Sequence, residues 1–319
     1  MPSLIKFLPL FPLLFGIWSF YVEPNIISLT RLRWYLGEKS RHLSGLKLVH
    51  ISDLHLNSTQ SEKFLEKIIR KINELSPDIL LFSGDFLCHA TLHNEDRLKK
   101  FLNKFSPKMG AFCVLGNHDY AQYVSGNEKG MIDIIKPGVF RTFKRILASI
   151  LNVFKANQSR KGTTEDAKKV GLNEKLCNLL KETPFRILNN ETVTLPIGLN
   201  IVGLGELFLS QCRPDIAYRN YKPDFPGIVL VHNPDAIPDL SVYPGEWIFS
   251  GHTHGQQIYI PWPKFGKRLS EKLTGLENPE FCRGYIRVGN KQVYVTRGLG
   301  STNRIRFNST PEICLIECH

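Results

Sequence analysis

Leu46 to His55 reads LKLVHISDLH, an apolar run that gives way to an aspartate and a histidine two residues apart. Leu46 to Ile51 has the composition of a buried strand, so Asp53 and His55 fall at its carboxyl end. Outward from this point the pattern repeats. Glu62 to Leu75 sets Phe64, Leu65, Ile68, Ile69, Ile72 and Leu75 at helical spacing, and Pro77 stops that helix. Ile79 to Ser83 is the next apolar strand, and it ends on Gly84-Asp85. A polar helical stretch from Asn94 to Phe105 leads into a third strand, Ala111 to Leu115, which ends on Gly116-Asn117-His118-Asp119. The order βαβαβ predicts an α/β fold whose parallel strands bring their carboxyl ends to one edge.

The second half changes character. Short strands are expected at Thr192 to Leu195, Asn200 to Val202, Gly227 to Val231, Trp247 to Ser250, Gln257 to Ile260, Tyr285 to Val288, Gln292 to Val295 and Ile313 to Ile316. They suggest a second sheet packed on the first, with helices outside. Two of them run into further imidazoles, His232 and the pair His252 and His254 of Gly251-His-Thr-His254.

Loops at strand carboxyl ends converge, so these residues can surround one point although they lie far apart in the chain. Carboxylate, imidazole and amide oxygen suit Mn²⁺, Fe or Zn²⁺ better than a thiolate site would. In an extended D-x-H the two side chains point the same way, which would let Asp53 and His55 grip one ion, and His252 and His254 likewise. Asp85 follows a glycine that permits a sharp turn, as a bridging carboxylate needs. Any one of these motifs occurs by chance, and a lone histidine is more often structural. Five in order, each at a strand end, make a metal centre the better reading.

The series D-x-H, G-D, G-N-H-D, H, G-H-T-H resembles that of the calcineurin-like metallophosphoesterases, from about Leu46 to the C-terminus. The resemblance implies a four-layer αββα sandwich with two divalent metal ions at one edge of the sheets. It further implies that Asp53, His55 and His254 bind one ion, that Asn117, His232 and His252 bind the other, and that Asp85 bridges them. His118 matches the family's non-ligand catalytic histidine, an imidazolium that stabilises or protonates oxygen, and Asp119 would orient it. Mn²⁺ is the metal suggested, with Fe, Zn²⁺ and Mg²⁺ open.

The rest of the chain bears on the substrate. Among 319 residues the formal charge is +12, which suggests an anionic partner. The seven cysteines are scattered and read as reduced thiols. Phe7 to Val22 (FLPLFPLLFGIWSFYV) carries no charge, and residues 1–24 are expected to form a retained membrane anchor. Arg31, Arg33, Lys39 and Arg41 follow it in an expected linker, residues 25–45. Their excess places the phosphoesterase domain, residues 46–319, on the cytoplasmic side of the inner membrane.

Residues 121–186 form an expected insertion with thirteen basic and six acidic residues, a net +7 and more than half the total. Within it Val139 to Lys155 spaces Phe140, Phe143, Ile146, Leu147, Ile150, Leu151 and Phe154 as a basic amphipathic helix. A helix capping the core explains the apolar face alone. Its basic flank, its place after G-N-H-D and the N-terminal anchor favour a cover for lipid, with Arg141, Lys144 and Arg145 as phosphate contacts.

Ile260 to Pro263 and Arg297-Gly-Leu-Gly300 resemble a membrane-linked bacterial branch of the family. Leu48 to Leu56, Thr183-Pro-Phe-Arg186, Val202 to Gly205, Trp262 to Phe265, Leu273 to Glu280 and Pro311 to Cys314 resemble a rarer, membrane-anchored branch. That branch cleaves the diphosphate of UDP-2,3-diacylglucosamine in lipid A synthesis, which implies a lipid-linked nucleotide substrate and a membrane surface as partners. Gly255-Gln-Gln257 departs from the Gly-Gly-Gln usual after G-H-T-H. A broad-specificity phosphodiesterase on phospholipids or small diesters is the alternative. No nucleic-acid partner is expected, because the insertion's aromatics share an apolar face instead of alternating with basic residues.

Overall fold

The computed structural model describes residues 10–127, 129–136, 162–261, 276–301 and 304–319. Val139 to Lys155, with Arg141, Lys144 and Arg145, lies outside the described residues.

The first βαβαβ unit forms as read. Strand β2 (Lys47–Ile51), helix α2 (Glu62–Leu75), strand β3 (Ile79–Ser83), helix α3 (Glu95–Leu102) and strand β4 (Ala111–Val114) follow one another, and β2, β3 and β4 pair in parallel. Side-chain caps start both helices: Ser61 accepts from the Phe64 N–H and Asn94 from the Arg97 N–H. Ser76, left-handed at φ 49°, closes α2 ahead of Pro77. Phe64, Leu65, Ile68 and Ile72 of α2 and Leu98, Phe101 and Leu102 of α3 pack on Val49, Ile51, Leu80 and Phe82, the outer face of this sheet.

The second sheet is built from β8 (Glu191–Leu195), β9 (Leu199–Gly203), β10 (Gly227–Leu230), β11 (Trp247–Ser250), β12 (Gly284–Val288) and β13 (Lys291–Val295). Its order is β12-β13-β11-β10-β9-β8, with the middle four parallel and both edges antiparallel. Ile201, Ile228, Leu230, Trp247 and Phe249 face the first sheet and bury against Leu48, Ile79, Leu81, Phe112 and Val114. The opposite faces of these strands, Val202, Val229, Ile248 and Val293, pack on Ala217, Ile237 and Leu240 of short helices. Period-two alternation therefore feeds two layers from each strand, and the chain is a mixed α/β fold of two face-to-face sheets with helices outside.

Three expectations change. Residues 25–45 are not simply a linker, because β1 (Ser28–Trp34) pairs in parallel with β14 (Glu312–Cys318) at the edge of the first sheet. Only Trp34 of β1 is fully buried, while Arg31 and Arg33 point to solvent, so the strand hides in a basic, half-polar stretch. β14 is the second change: it joins the first sheet, antiparallel to β2, as does the short strand β7 (Phe185–Ile187) beside β4. Third, Gln257 to Ile260 makes only an isolated bridge from Ile258 to Phe307, since Gln256 and Gln257 sit at φ 77° and 54° and break extension.

At the N-terminus, α1 (Leu10–Ile17) continues through a wider π-turn, Trp18–Val22. Among the described residues no helix is long and apolar enough to cross a membrane. All seven cysteines are free thiols; Cys88, Cys113, Cys314 and Cys318 are buried and the other three half-buried.

Candidate metal centre

The carboxyl ends of β2, β3, β4, β10 and β11 meet where the two sheets adjoin, and every expected ligand arrives there. Asp53, His55, Asp85, Asn117 and His232 are at most 2% exposed, His254 is 9% exposed, and His252 is half-buried. His55 Nε2 lies 3.0 Å from His254 Nε2, 3.3 Å from Asp85 Oδ2 and 3.8 Å from Asp53 Oδ1. On the far side of Asp85, His232 Nε2 stands 3.3 Å from the same Oδ2. His252 Nδ1 lies 3.2 Å from His232 Nε2 and 3.1 Å from Asn117 Oδ1. Two triads able to hold an ion result, Asp53-His55-His254 and Asp85-His232-His252.

The backbone that achieves this is not the extended D-x-H expected. Asp53, His55, Asp85, His252 and His254 all have positive φ, between 44° and 68°. Such residues persist only where their surroundings over-determine them. Here the Asp53 and His55 N–H groups bond to the Gly84 and Asp85 carbonyls at 2.9 and 3.0 Å, so two loops run side by side. The N–H groups of Leu299 and Gly300 bond to Ser52 and Asp53 carbonyls from the other flank. Glycine is required where these loops close up: a Cβ on Gly116 would collide with the Asp85 carboxylate, and one on Gly251 with Asp53.

Tautomers follow from the outer contacts. His55 Nδ1 faces the Leu87 carbonyl at 3.0 Å, His232 Nδ1 the Ser83 carbonyl at 2.8 Å and His254 Nδ1 the Gly300 carbonyl at 3.2 Å. A carbonyl only accepts, so each Nδ1 carries a proton, and in the neutral ring each Nε2 turns a lone pair inward. Asn117 likewise donates Nδ2 to the Val124 carbonyl at 2.9 Å, leaving its oxygen free to face the cluster.

His118 has the opposite arrangement. Its Nδ1 accepts the His89 N–H at 2.9 Å, so its proton sits on Nε2, 4.0 Å from Asp85 Oδ2. By distance alone His118 could form a third triad with His55 and Asp85; its tautomer argues against that and for a hydrogen-bond donor. Burial and the nearby His55 and His89 rings also hold its pKa well below the usual value, against the pull of Asp85. This geometry favours a neutral ring over the expected imidazolium, since an Nδ1 proton would meet the His89 N–H head on.

Asp119 also differs from expectation. Its Oδ2 accepts the N–H groups of Asp85 at 2.7 Å and Gly116 at 3.0 Å, and its Oδ1 that of Leu87 at 2.9 Å. It clamps the ligand loops, while the main chain of His89 orients His118. His89 follows Asp85 by four residues in the same loop, the one sequence signal that could have marked it.

Charge is balanced across the cluster. Burial alone would raise the Asp85 carboxyl, but the His232 and His55 imidazoles hold it well below the usual carboxylate range. Burial opposes protonation of His55 and His232, yet the carboxylates around Asp85 pull both imidazoles upward. His254 is pushed down to about 3 by burial, against Asp53.

Residues 46–256 match the family model for calcineurin-like phosphoesterases. The chain belongs to that family and is a metal-dependent hydrolase using divalent ions. It is 47% identical over 309 residues to the UDP-2,3-diacylglucosamine pyrophosphatase LpxG of Chlamydia muridarum, covering 96% of this chain and 94% of that one. The LpxG of Chlamydia trachomatis serovar D gives the same identity and coverage. The phosphodiesterase YaeI of Escherichia coli is 24% identical, with 93% of this chain and 90% of that one covered.

Proposed function

We propose that this chain hydrolyses the diphosphate of UDP-2,3-diacylglucosamine to UMP and 2,3-diacylglucosamine 1-phosphate, at the cytoplasmic face of the inner membrane. The observation that carries the reading is 47% identity across nearly the whole length of two chains that bear this activity in their names.

The donor set fits two divalent ions, because carbonyl-held Nδ1 protons leave His55, His232 and His254 with inward lone pairs beside two carboxylates. In this reading Asp53, His55 and His254 would hold one ion and Asn117, His232 and His252 the other, with Asp85 placed between the two sets. Nitrogen and oxygen donors of this kind accept Mn²⁺, Fe or Zn²⁺, and Mn²⁺ is the ion proposed. Two such ions, when bound, lower the pKa of a water and clamp the attacking and leaving oxygens of an in-line displacement. His118 then donates its Nε2 proton in a hydrogen bond to an oxygen of the reacting phosphoryl group, as a neutral ring throughout. Asp119 keeps the Asp85, Leu87 and Gly116 amides in place.

Contact with lipid is supported by the N-terminal segment, where Leu14 (60%), Ile17, Trp18, Phe20 and Tyr21 (74%) are exposed together. Trp18 and Tyr21 are the aromatic types that favour the headgroup level, and Arg31 and Arg33 on β1 add positive charge nearby in the chain. Arg141, Lys144 and Arg145 are proposed to neutralise the diphosphate, and the apolar positions of Val139 to Lys155 to shelter the acyl chains.

The test is UMP release from UDP-2,3-diacylglucosamine by detergent-solubilised protein with Mn²⁺, beside Asp85→Ala and a water-soluble diester. Turnover of the lipid should fall at least ~10³-fold in the variant, about 4 kcal/mol of barrier. Turnover of the diester alone would keep the hydrolase and end the lipid assignment.

A further inference from the structure

The N-terminal segment reaches the metal centre through a buried carboxylate. Glu23 is 2% exposed. Its Oε2 accepts the Trp18 Nε1–H at 2.7 Å and its Oε1 the Ser309 N–H at 2.6 Å. Ser309 is itself wholly buried, and its hydroxyl bonds to the His254 carbonyl at 2.8 Å and the Gly255 carbonyl at 3.1 Å.

Arg306 completes the link. Its N–H bonds to the Ser19 carbonyl at 2.9 Å, and the next ring, Phe307, lies 4.7 Å from Phe15. Its guanidinium, wholly buried, donates to the carbonyls of Arg297, Ser309, His254 and Gly300. The Gly300 carbonyl is the acceptor that fixes the His254 ring. Both ends of His254, its main chain at φ 51° and its Nδ1, therefore depend on residues 306–309. Those residues rest in turn on Ser19 and Glu23.

We infer that Glu23 is a positioning residue that couples docking of the N-terminal segment to His254, so that the Asp53-His55-His254 position takes up its ion tightly only when that segment is seated. This rests on the metal assignment proposed above. A burial role alone would not require a carboxylate here: Glu23 is placed to hold one donor from the lipid-facing segment and one from the loop that holds His254. Outer contacts of this kind set metal affinity by orienting the ligand.

The experiment measures Mn²⁺ binding to the full chain in detergent by chelator competition, for the native protein, Glu23→Gln, Trp18→Phe and Asp53→Ala. Gln keeps the size of Glu23 but must turn an NH₂ toward one of its two N–H donors. Trp18→Phe removes only the indole donor, from a partly exposed position that folding tolerates. Glu23→Gln should weaken one of two ions by roughly 10–100-fold and leave the other unchanged. Trp18→Phe should weaken the same ion less, and excess Mn²⁺ should restore turnover in both variants. Native affinity for both ions in Trp18→Phe and in any folded Glu23→Gln, even with a lowered melting temperature, would overturn the inference and leave Glu23 a structural staple. Two ions retained by Asp53→Ala would overturn the metal assignment, and the inference with it.

Discussion

The two sides of Asp85 are built differently. On one, Asp53, His55 and His254 are buried, all three sit at positive φ, and the loops after β2, β3 and β13 lock them from behind. On the other, only His252 sits at positive φ, and it is half-buried with the Phe208 ring edge-on at 4.9 Å. Asn117 is tied by its amide to Val124, in the small hairpin of β5 (Val124–Gly126) and β6 (Ile132–Ile134). The closed side leans on the N-terminal segment and the open side on the β5–β6 hairpin. The closed side is thus held from several loops, and on the open side only His252 is partly accessible.

His118 belongs to neither half, and replacing it gives the largest effect that tests the division. His118→Ala should cut kcat by roughly 10²–10⁴-fold while two Mn²⁺ remain bound. Metal content by elemental analysis alongside turnover checks both. Loss of an ion would make His118 a ligand and merge the two sides.

Asn117→Ala should act on the open side alone. It removes the amide oxygen 3.1 Å from His252 Nδ1 and the tether to Val124. The expected result is affinity for one ion weakened by about 10–100-fold, with the Asp53 side unchanged. Equal weakening of both ions would mean that the two positions cannot be loaded independently.

Much of this site is legible in the sequence because strand ends and ligand types coincide: LVHISDLH, Gly84-Asp85 and Gly116-Asn-His-Asp119 each state a strand and its cargo together. The conformations are not. D-x-H suggests extended alternation, but the amides of Asp53 and His55 are claimed by the Gly84 and Asp85 carbonyls, a long-range pairing that a local pattern cannot reveal. The work of Asp119 and His89 is hidden for the same reason, since both act through main-chain N–H groups of other loops. Arg306 gives no hint of burial at all, as its partners are four carbonyls. Edge strand β1 escapes notice because an edge needs only one apolar row, and here charge occupies the other.

Trp34 offers the smallest test, a change that should be felt in stability and not in chemistry. It is wholly buried at the end of β1, donates Nε1–H to Glu246 Oε2 at 2.7 Å and meets Trp247 edge-on at 6.5 Å, so it joins the first sheet to the second. Trp34→Phe keeps most of the ring and removes the hydrogen bond to a carboxylate, a cost of about 1.5–3 kcal/mol. Thermal unfolding should drop by several degrees, at roughly 2–4 °C per kcal/mol for a chain somewhat smaller than this one. Turnover and affinity for both ions should stay as in the native protein. β1 follows directly on the segment that carries Glu23, so a loss of metal in Trp34→Phe would mean that the N-terminus acts on the site through the sheet. Unchanged metal binding here, with a loss in Glu23→Gln, places the route in Ser309 and Arg306.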